Sequence, residues 1–500
     1  MSPKGSLDKD LEKIVHVEAA ARSVTRGNVS HGIAILFLGL SGLLAITVTG
    51  ASTEAAIIVF AAILGGYMAL NIGANDVANN VGPAVGARAM TMVGALVIAA
   101  VFESAGALLA GSDVVDTISK GIINPDLVPD PSVFVWGMLA ALLSSAVWIH
   151  LATFIGAPVS TTHAVVGGVL GIGIAAVGFD LVNWPVFGAI AASWVISPVL
   201  GGVIAALFLA FIKLNIIYRD DKIAAARRWI PILVAVMAGA FAWYLAVKGF
   251  KRFWKPDLMI LLAIAVGSFV AVYAIMKPLI HRQSEGMENR NQSLRKLFHI
   301  PLICSAALLS FAHGANDVAN AIGPVAAILH GVQDGALSAK VTVPVWVMII
   351  GAFGISLGLF LYGPKLIRMV GSKITKMNPM RAYCVALSAA LTVIVASWLG
   401  LPVSSTHIAV GAVFGVGFFR ESFTRRSKRR QELMQRQRRS RLGEDMPPVE
   451  TKPAHSPEEI LKRKLVRRSH FLTIVAAWVV TVPASAALSA TVYWILSLVR

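Results

Sequence analysis

A polar phrase set among long apolar runs occurs twice in this chain. Gly73-Ala74-Asn75-Asp76-Val77-Ala78-Asn79 returns 241 residues later as Gly314-Ala315-Asn316-Asp317-Val318-Ala319-Asn320. Each copy leads to a Gly-Pro pair, Gly82-Pro83 and Gly323-Pro324. A second phrase repeats at nearly the same offset, Gly156-Ala157-Pro158-Val159-Ser160-Thr161-Thr162-His163 and Gly400-Leu401-Pro402-Val403-Ser404-Ser405-Thr406-His407. Two polar motifs duplicated in order constrain the chain to two homologous halves in a membrane. Carboxylates and amides at membrane depth are costly, so by default they mark a binding site on a transport path.

The 500 residues are 56% hydrophobic and 14% charged, outside the range of soluble globular chains. Apolar runs of spanning length fall near 33–50, 55–72, 92–110, 133–155, 184–213, 230–247, 257–278, 298–312, 342–362, 381–399 and 471–499. Shorter runs at 164–179 and 408–419 follow the two Pro-Val-Ser phrases. They read as half-helices or re-entrant hairpins, tolerated where they are buried or line a cavity. The expected fold is an all-α polytopic membrane protein of two inverted-topology repeats with half-helix hairpins and about 11–13 membrane segments.

The net charge of +18 is concentrated rather than spread. Between Arg420 and Arg468 stand 16 Lys/Arg against 7 Asp/Glu, which supplies half of it. The positive-inside rule accounts for such a loop without a nucleic-acid partner, and contact with anionic lipid is a further reading. Basic loops near 213–229 and 279–298 also belong inside, with two spans between them. The halves then run in opposite senses. Lys248, Lys251, Arg252 and Lys255, in a loop this scheme puts outside, disagree with it. A third correspondence, Ser193-Trp194 with Ala477-Trp478, has an offset of 284, so the basic loop is an insertion in the second half. The organisation expected is a cytosolic tail at 1–32, an extra membrane helix at 33–54, a first repeat at 55–213, connecting helices at 214–298, a second repeat at 299–420, a basic cytoplasmic insertion at 421–469 and a final helix at 470–500. The first 32 residues mix acids with bases and do not resemble a signal peptide. Cys304 and Cys384 lie in apolar spans and read as packing residues.

An Asp at the centre of a spanning helix costs roughly 2.5–3.5 kcal/mol on the insertion scale. Asp76 and Asp317 need compensation, which Asn75, Asn79, Asn316, Asn320 and carbonyls bared by the glycines can offer. Such hard oxygen donors suit Na⁺ or accept a proton. The Pro-Val-Ser-(Thr/Ser)-Thr phrases begin helices, so Ser160, Thr161, Thr162, Ser404, Ser405 and Thr406 present hydroxyls and free N–H groups. Two such tips enclose one small tetrahedral oxyanion, phosphate or sulfate, shared with Asp76 and Asp317. Neither motif holds Lys or Arg, and Arg88 is the one nearby base. A low-dielectric site cannot keep that much negative charge unpaired, so the cations arrive with the substrate. Glu103 is a further intramembrane acid with a cation-binding or helix-tethering role. His163 and His407 orient the tips, and His313, whose counterpart is Ile72, packs, hydrogen-bonds or relays protons. A passive anion pore, or a sensor with the basic loop as its output, fits the same residues. Nothing resembles an activated nucleophile, so no enzyme and no cofactor is expected.

These phrases strongly resemble the inorganic phosphate transporter (PiT) family, over roughly 55–420 and 470–500. Phe102-Glu103, Thr117-Ile118-Ser119-Lys120-Gly121-Ile122-Ile123, Phe311-Ala312-His313-Gly314, and Ala390-Leu391-Thr392-Val393 resemble its sodium-coupled branch. The resemblance implies import of inorganic phosphate with Na⁺ or H⁺ across the cell membrane, elevator-like motion of the tips, and an assembly that is often a homodimer. It also admits sulfate permeases. Ala386 stands where sodium-coupled relatives carry an acid, and the span at 33–50 is additional, which puts the N-terminus in the cytosol.

Overall fold

The computed structural model describes residues 6–50, 52–124, 127–128, 130–157, 159–176, 178–249, 256–333, 343–370, 377–426 and 468–498. Among them the chain is helical, with an isolated bridge of Ile123 with Val182 in place of any strand. The helices are α1 (Ser6–Thr49), α2 (Thr53–Asn75), α3 (Val77–Gly86), α4 (Met92–Ala110), α5 (Ser112–Asp116), α6 (Pro131–Ile155), α7 (Thr161–Ala176) and α8 (Trp184–Ile212). They continue as α9 (Lys222–Tyr244), α10 (Leu258–Gln283), α11 (Asn291–Leu297), α12 (His299–Gln333), α13 (Val345–Met369), α14 (Pro379–Trp398), α15 (Ser405–Arg426) and α16 (Arg468–Ser497). Among the described residues eleven segments are long and apolar enough to cross a membrane, one for each run read from the sequence.

Two of the runs differ in extent. The apolar run at 298–312 stops at the second polar motif, but α12 continues to Gln333, because the motif's side chains find partners without breaking the helix. The N-terminal tail and the extra span form one helix, α1, whose Asn28–Thr49 part packs on α2 and α13. There Phe37 lies against Gly66 and Gly354, which leave room for its ring. Of the basic insertion, residues 427–467 lie outside the described residues, as do Lys251, Arg252 and Lys255. Lys248 is bonded to Asp113 at 2.5 Å, so this base at a supposed outside position serves an ion pair. Cys304 and Cys384 are free thiols within the packed helices.

The duplication is visible as paired contacts. Gly73 of α2 seats the backbone of α13 at Ile355, and Gly314 of α12 seats the backbone of α4 at Glu103. Gly358 and Gly106 make the return contacts, at Leu70 and Phe311. The hydroxyls of Ser104 and Ser356, which correspond in the two halves, lie 2.7 Å apart. These paired contacts relate the two halves pseudo-symmetrically.

The hairpins are exchanged across that relation. Each has a glycine at its bend in the left-handed region, Gly156 at φ 76° and Gly400 at φ 69°, which a side chain would strain. Gly167 and Gly171 of α7 pack on Val482 and Ala486 of α16, while Gly411 and Gly415 of α15 pack on Pro198 and Gly202 of α8. Each half's last helix therefore supports the other half's tip. At 16 residues α7 is about 24 Å long, short of the roughly 30 Å apolar core of a bilayer. Its N-terminus, with that of α15, stays inside the protein.

Candidate functional site

The first motif aspartate sits at the join of α2 and α3, and the second within unbroken α12. Asp76 keeps near-helical geometry (φ −86°, ψ −34°), and its N–H reaches Ile72 O at 2.9 Å. The motif glycines have a packing role. Gly73 and Gly314 are small so that another helix can approach.

Each tip begins with a serine cap. Ser160 Oγ accepts the His163 N–H at 3.2 Å, and Ser404 Oγ accepts the His407 N–H at 3.3 Å. The following residues meet the motifs. Thr161 donates its hydroxyl to Asp76 Oδ2 at 2.7 Å, and Thr406 donates to Asp76 Oδ1 at 3.4 Å. The outer asparagines then cross between halves. Asn79 donates to Thr406 Oγ1 at 2.8 Å, while Asn320 donates to Thr161 and Thr162 Oγ1 at 3.3 and 3.1 Å. Thr162 in turn donates to Val403 O of the opposite tip at 3.1 Å. Asp76 thus touches both tips at once.

The inner asparagines clasp the bends of the hairpins. Asn75 donates to Thr153 Oγ1 and Ala157 O at 2.9 and 3.3 Å, and Asn316 to Ser397 Oγ and Leu401 O at 2.9 and 3.2 Å. The pairs correspond residue by residue. Thr117, upstream of the first hairpin, donates to Gly400 O at 2.6 Å and steadies the second bend.

Asp317 has different company. His313 Nε2 lies 2.9 Å from Asp317 Oδ2, and His313 Nδ1 lies 2.7 Å from Glu103 Oε2. Asn80 donates to Glu103 Oε1 at 2.7 Å. His313 Nδ1 is hydrogen-bonded to Glu103, whereas Nε2 meets Asp317 Oδ2 as a close contact outside hydrogen-bond geometry. One oxygen or nitrogen each of Asp76, His313 and Asp317 lies within 4.8 Å of the others, all buried.

Several buried polar atoms here have no hydrogen-bond partner: Asn75 Oδ1, Asp317 Oδ1, Asn320 Oδ1 and Ser405 Oγ. Buried polar atoms are seldom left so. No Lys or Arg takes part in any hydrogen bond described at this site, and Arg88 is exposed in the turn after α3. His163 and His407 stack edge-on with centroids 4.4 Å apart, and Trp194 packs 3.9 Å from His163 while its Nε1 donates to Pro402 O at 3.1 Å. These rings form the aromatic backing of the tips. The partners that sequence reasoning missed are Asn80, Thr117, Thr153 and Ser397. Asn80 carried a signal as a second Asn directly after the motif, and Thr117 stood in a stretch that resembles the sodium-coupled branch.

Capping and binding hydroxyls should separate on mutation. Ser160→Ala is expected to cost about 1 kcal/mol of stability by removing a cap. Thr161→Val keeps the shape but removes the donor to Asp76, and is expected to weaken substrate affinity about tenfold. Thermal unfolding and concentration-dependent uptake of both variants check this.

The sequence profile of the phosphate transporter family matches residues 72–489. A candidate phosphate permease of Helicobacter pylori (strain J99) is 45% identical over 522 aligned positions, covering 97% of this chain and 98% of its own. One from Pyrococcus abyssi is 40% identical over 361 positions, covering 72% of this chain and 88% of its own. The solved structure of a sodium-dependent phosphate transporter is 36% identical, with a TM-score of 0.75, and covers 89% of this chain and 100% of that one. With two duplicated polar motifs converging on one buried site, this multi-pass membrane protein belongs to the phosphate transporter family.

Proposed function

We propose that the protein imports inorganic phosphate by alternating access, driven by co-transported Na⁺. The observation that carries this reading is the cluster of partnerless oxygens, Asn75 Oδ1, Asp317 Oδ1 and Asn320 Oδ1, beside two hydroxyl-rich tips with no Lys or Arg bonded among them. Phosphate is held by Thr161, Thr162, Ser405 and Thr406, within tips capped by Ser160 and Ser404. Asp76 and Asp317 share it by accepting its P–OH proton, which sulfate lacks at neutral pH. Cations bind at Asn75, Asp76, Asn79, Asn316, Asp317 and Asn320, where every donor is oxygen, as Na⁺ prefers. Two aspartates and a phosphate bring more negative charge than a low-dielectric site can hold, and the cations offset it. The sodium dependence of the structural neighbour supports the same ion. Protons are the second reading, favoured by His313 between Glu103 and Asp317. The protein works in the cell membrane with its N-terminus in the cytosol.

The test is radiolabelled phosphate uptake into proteoliposomes under an inward Na⁺ gradient, an inward H⁺ gradient or none, with sulfate in excess. Concentrative uptake under Na⁺ alone, indifferent to sulfate, is the expected result. Equilibration without a gradient means a pore, and strong inhibition by sulfate moves the substrate to that anion.

A further inference from the structure

The two motif aspartates correspond in the duplication, but their surroundings do not. Both oxygens of Asp76 accept hydroxyls from the tips. Asp317 is approached on one side only, where His313 Nε2 lies 2.9 Å from Oδ2 as a close charge contact outside hydrogen-bond geometry, and its Oδ1 has no partner. The His313 side chain is backed by Glu103, and Glu103 by Asn80, so that both Glu103 oxygens are occupied. All three are buried, with at most 1% of each residue exposed.

The same positions in the other half are apolar. His313 corresponds to Ile72 and Asn80 to Ala321 through the 241-residue offset of the motifs. Glu103 corresponds to Ile355, because each faces the motif glycine of the opposite half. One of the two corresponding crossings between the halves, α2 with α13, has therefore kept plain helix packing, while the other carries a polar chain across α3, α4 and α12. Burying three polar groups where isoleucine and alanine suffice costs free energy, and packing alone does not explain it.

We propose that Glu103, anchored by Asn80, is a positioning residue that holds Asp317 through His313 and so sets the cation affinity of that arm of the site. Glu103 acts through His313 rather than as a ligand, with both of its oxygens engaged in hydrogen bonds inside the protein. With the imidazole 2.9 Å from Oδ2, Asp317 keeps Oδ1 for the cation and spends little conformational freedom on binding it. Asp76 lacks such a brace and is organised by the tips, so its cation site forms only when both tips are in place. The two arms differ in affinity, and the braced arm fills first. This rests on the cation-coupled reading above.

The decisive variant replaces the chain with the residues of the other half, Asn80→Ala with Glu103→Ile and His313→Ile. Removing every partner at once leaves no orphaned polar atom among the three, so the protein is expected to fold. Uptake into proteoliposomes is measured against external Na⁺, or against external pH where H⁺ drives the wild type. The half-saturating cation concentration should rise roughly 10–100-fold, the usual effect of losing an outer partner of a ligand. Maximal rate at saturating cation should fall by less. Glu103→Gln, which still accepts from His313, should shift it by less than Glu103→Ala, and these single variants decide the matter if the triple one does not fold. A wild-type half-saturation in the triple variant or in Glu103→Ala, or a drop in maximal rate alone, overturns the positioning role. A wild type that ignores both cations overturns the symport reading and this inference with it.

Discussion

Asp317→Asn is expected to reduce cation-driven phosphate uptake by two to three orders of magnitude while leaving a folded protein. Asparagine has nearly the same shape, and its amide can still meet His313, which lies 2.9 Å from Oδ2. What disappears is one unit of negative charge at a buried point where Oδ1 has no partner. A pair of unit charges 4 Å apart at an effective dielectric of about 20 is worth about 4 kcal/mol, roughly a thousandfold in affinity. Asp76→Asn should be comparably severe by a second route. It removes a charge and also exchanges an acceptor of two tip hydroxyls for a group that is half donor. The check is uptake under a saturating inward gradient, with thermal unfolding measured alongside. Wild-type uptake in both variants would overturn the assignment of the site.

Gly73→Ala is expected to have the other largest effect, on folding rather than on ligand affinity. A Cβ there would overlap Ile355 O and lie 2.8 Å from both Ile355 C and Leu359 N. All three are backbone atoms of α13 and cannot rotate aside. The helices must separate along a crossing whose other half is Gly358 against Leu70. Overpacking usually costs 1–3 kcal/mol when side chains can yield, so a rigid crossing should cost about 3 kcal/mol or more. The crossing also positions Asn75 and Asp76, so any surviving protein should transport poorly. Gly267→Ala, in α10, is the contrast, because a Cβ there meets nothing within 4 Å. Helix propensity should make it neutral or slightly stabilising. Yield of monodisperse protein and its unfolding temperature distinguish the two.

Much of the site could be read in the sequence because its residues are expensive. Asp76, Asp317 and the four asparagines stand out against apolar neighbours, and duplication makes chance an unattractive explanation. The tips were legible for a similar reason, since Pro-Val-Ser followed by Thr or Ser is a helix start placed where a spanning helix should not begin. Ser160 and Ser404 turned out to cap those helices, while Thr161, Thr162 and Thr406 reach across. Spacing within a phrase does not reveal which hydroxyl faces its own backbone. The packing role of the motif glycines was not legible. A small residue in a helix can bare a carbonyl or admit another helix, and only the positions of α4 and α13 show that these glycines do the second.

The sequence by itself determined the membrane class, the two halves and the polar residues that any site must use. Those follow from hydropathy and duplication, which are properties of the chain whatever its path. Only the tertiary structure decided who meets whom: Asn79 with Thr406, Asn320 with Thr162, and Glu103 with His313 across 210 residues of sequence. The reason is that each half lends its last helix to the other's hairpin. Partners are then set by how the halves cross, and that crossing is written in no local stretch of residues. It also turned an isolated acid and a lone histidine into a single chain ending on Asp317, so that two nearly identical motifs came to occupy unlike surroundings.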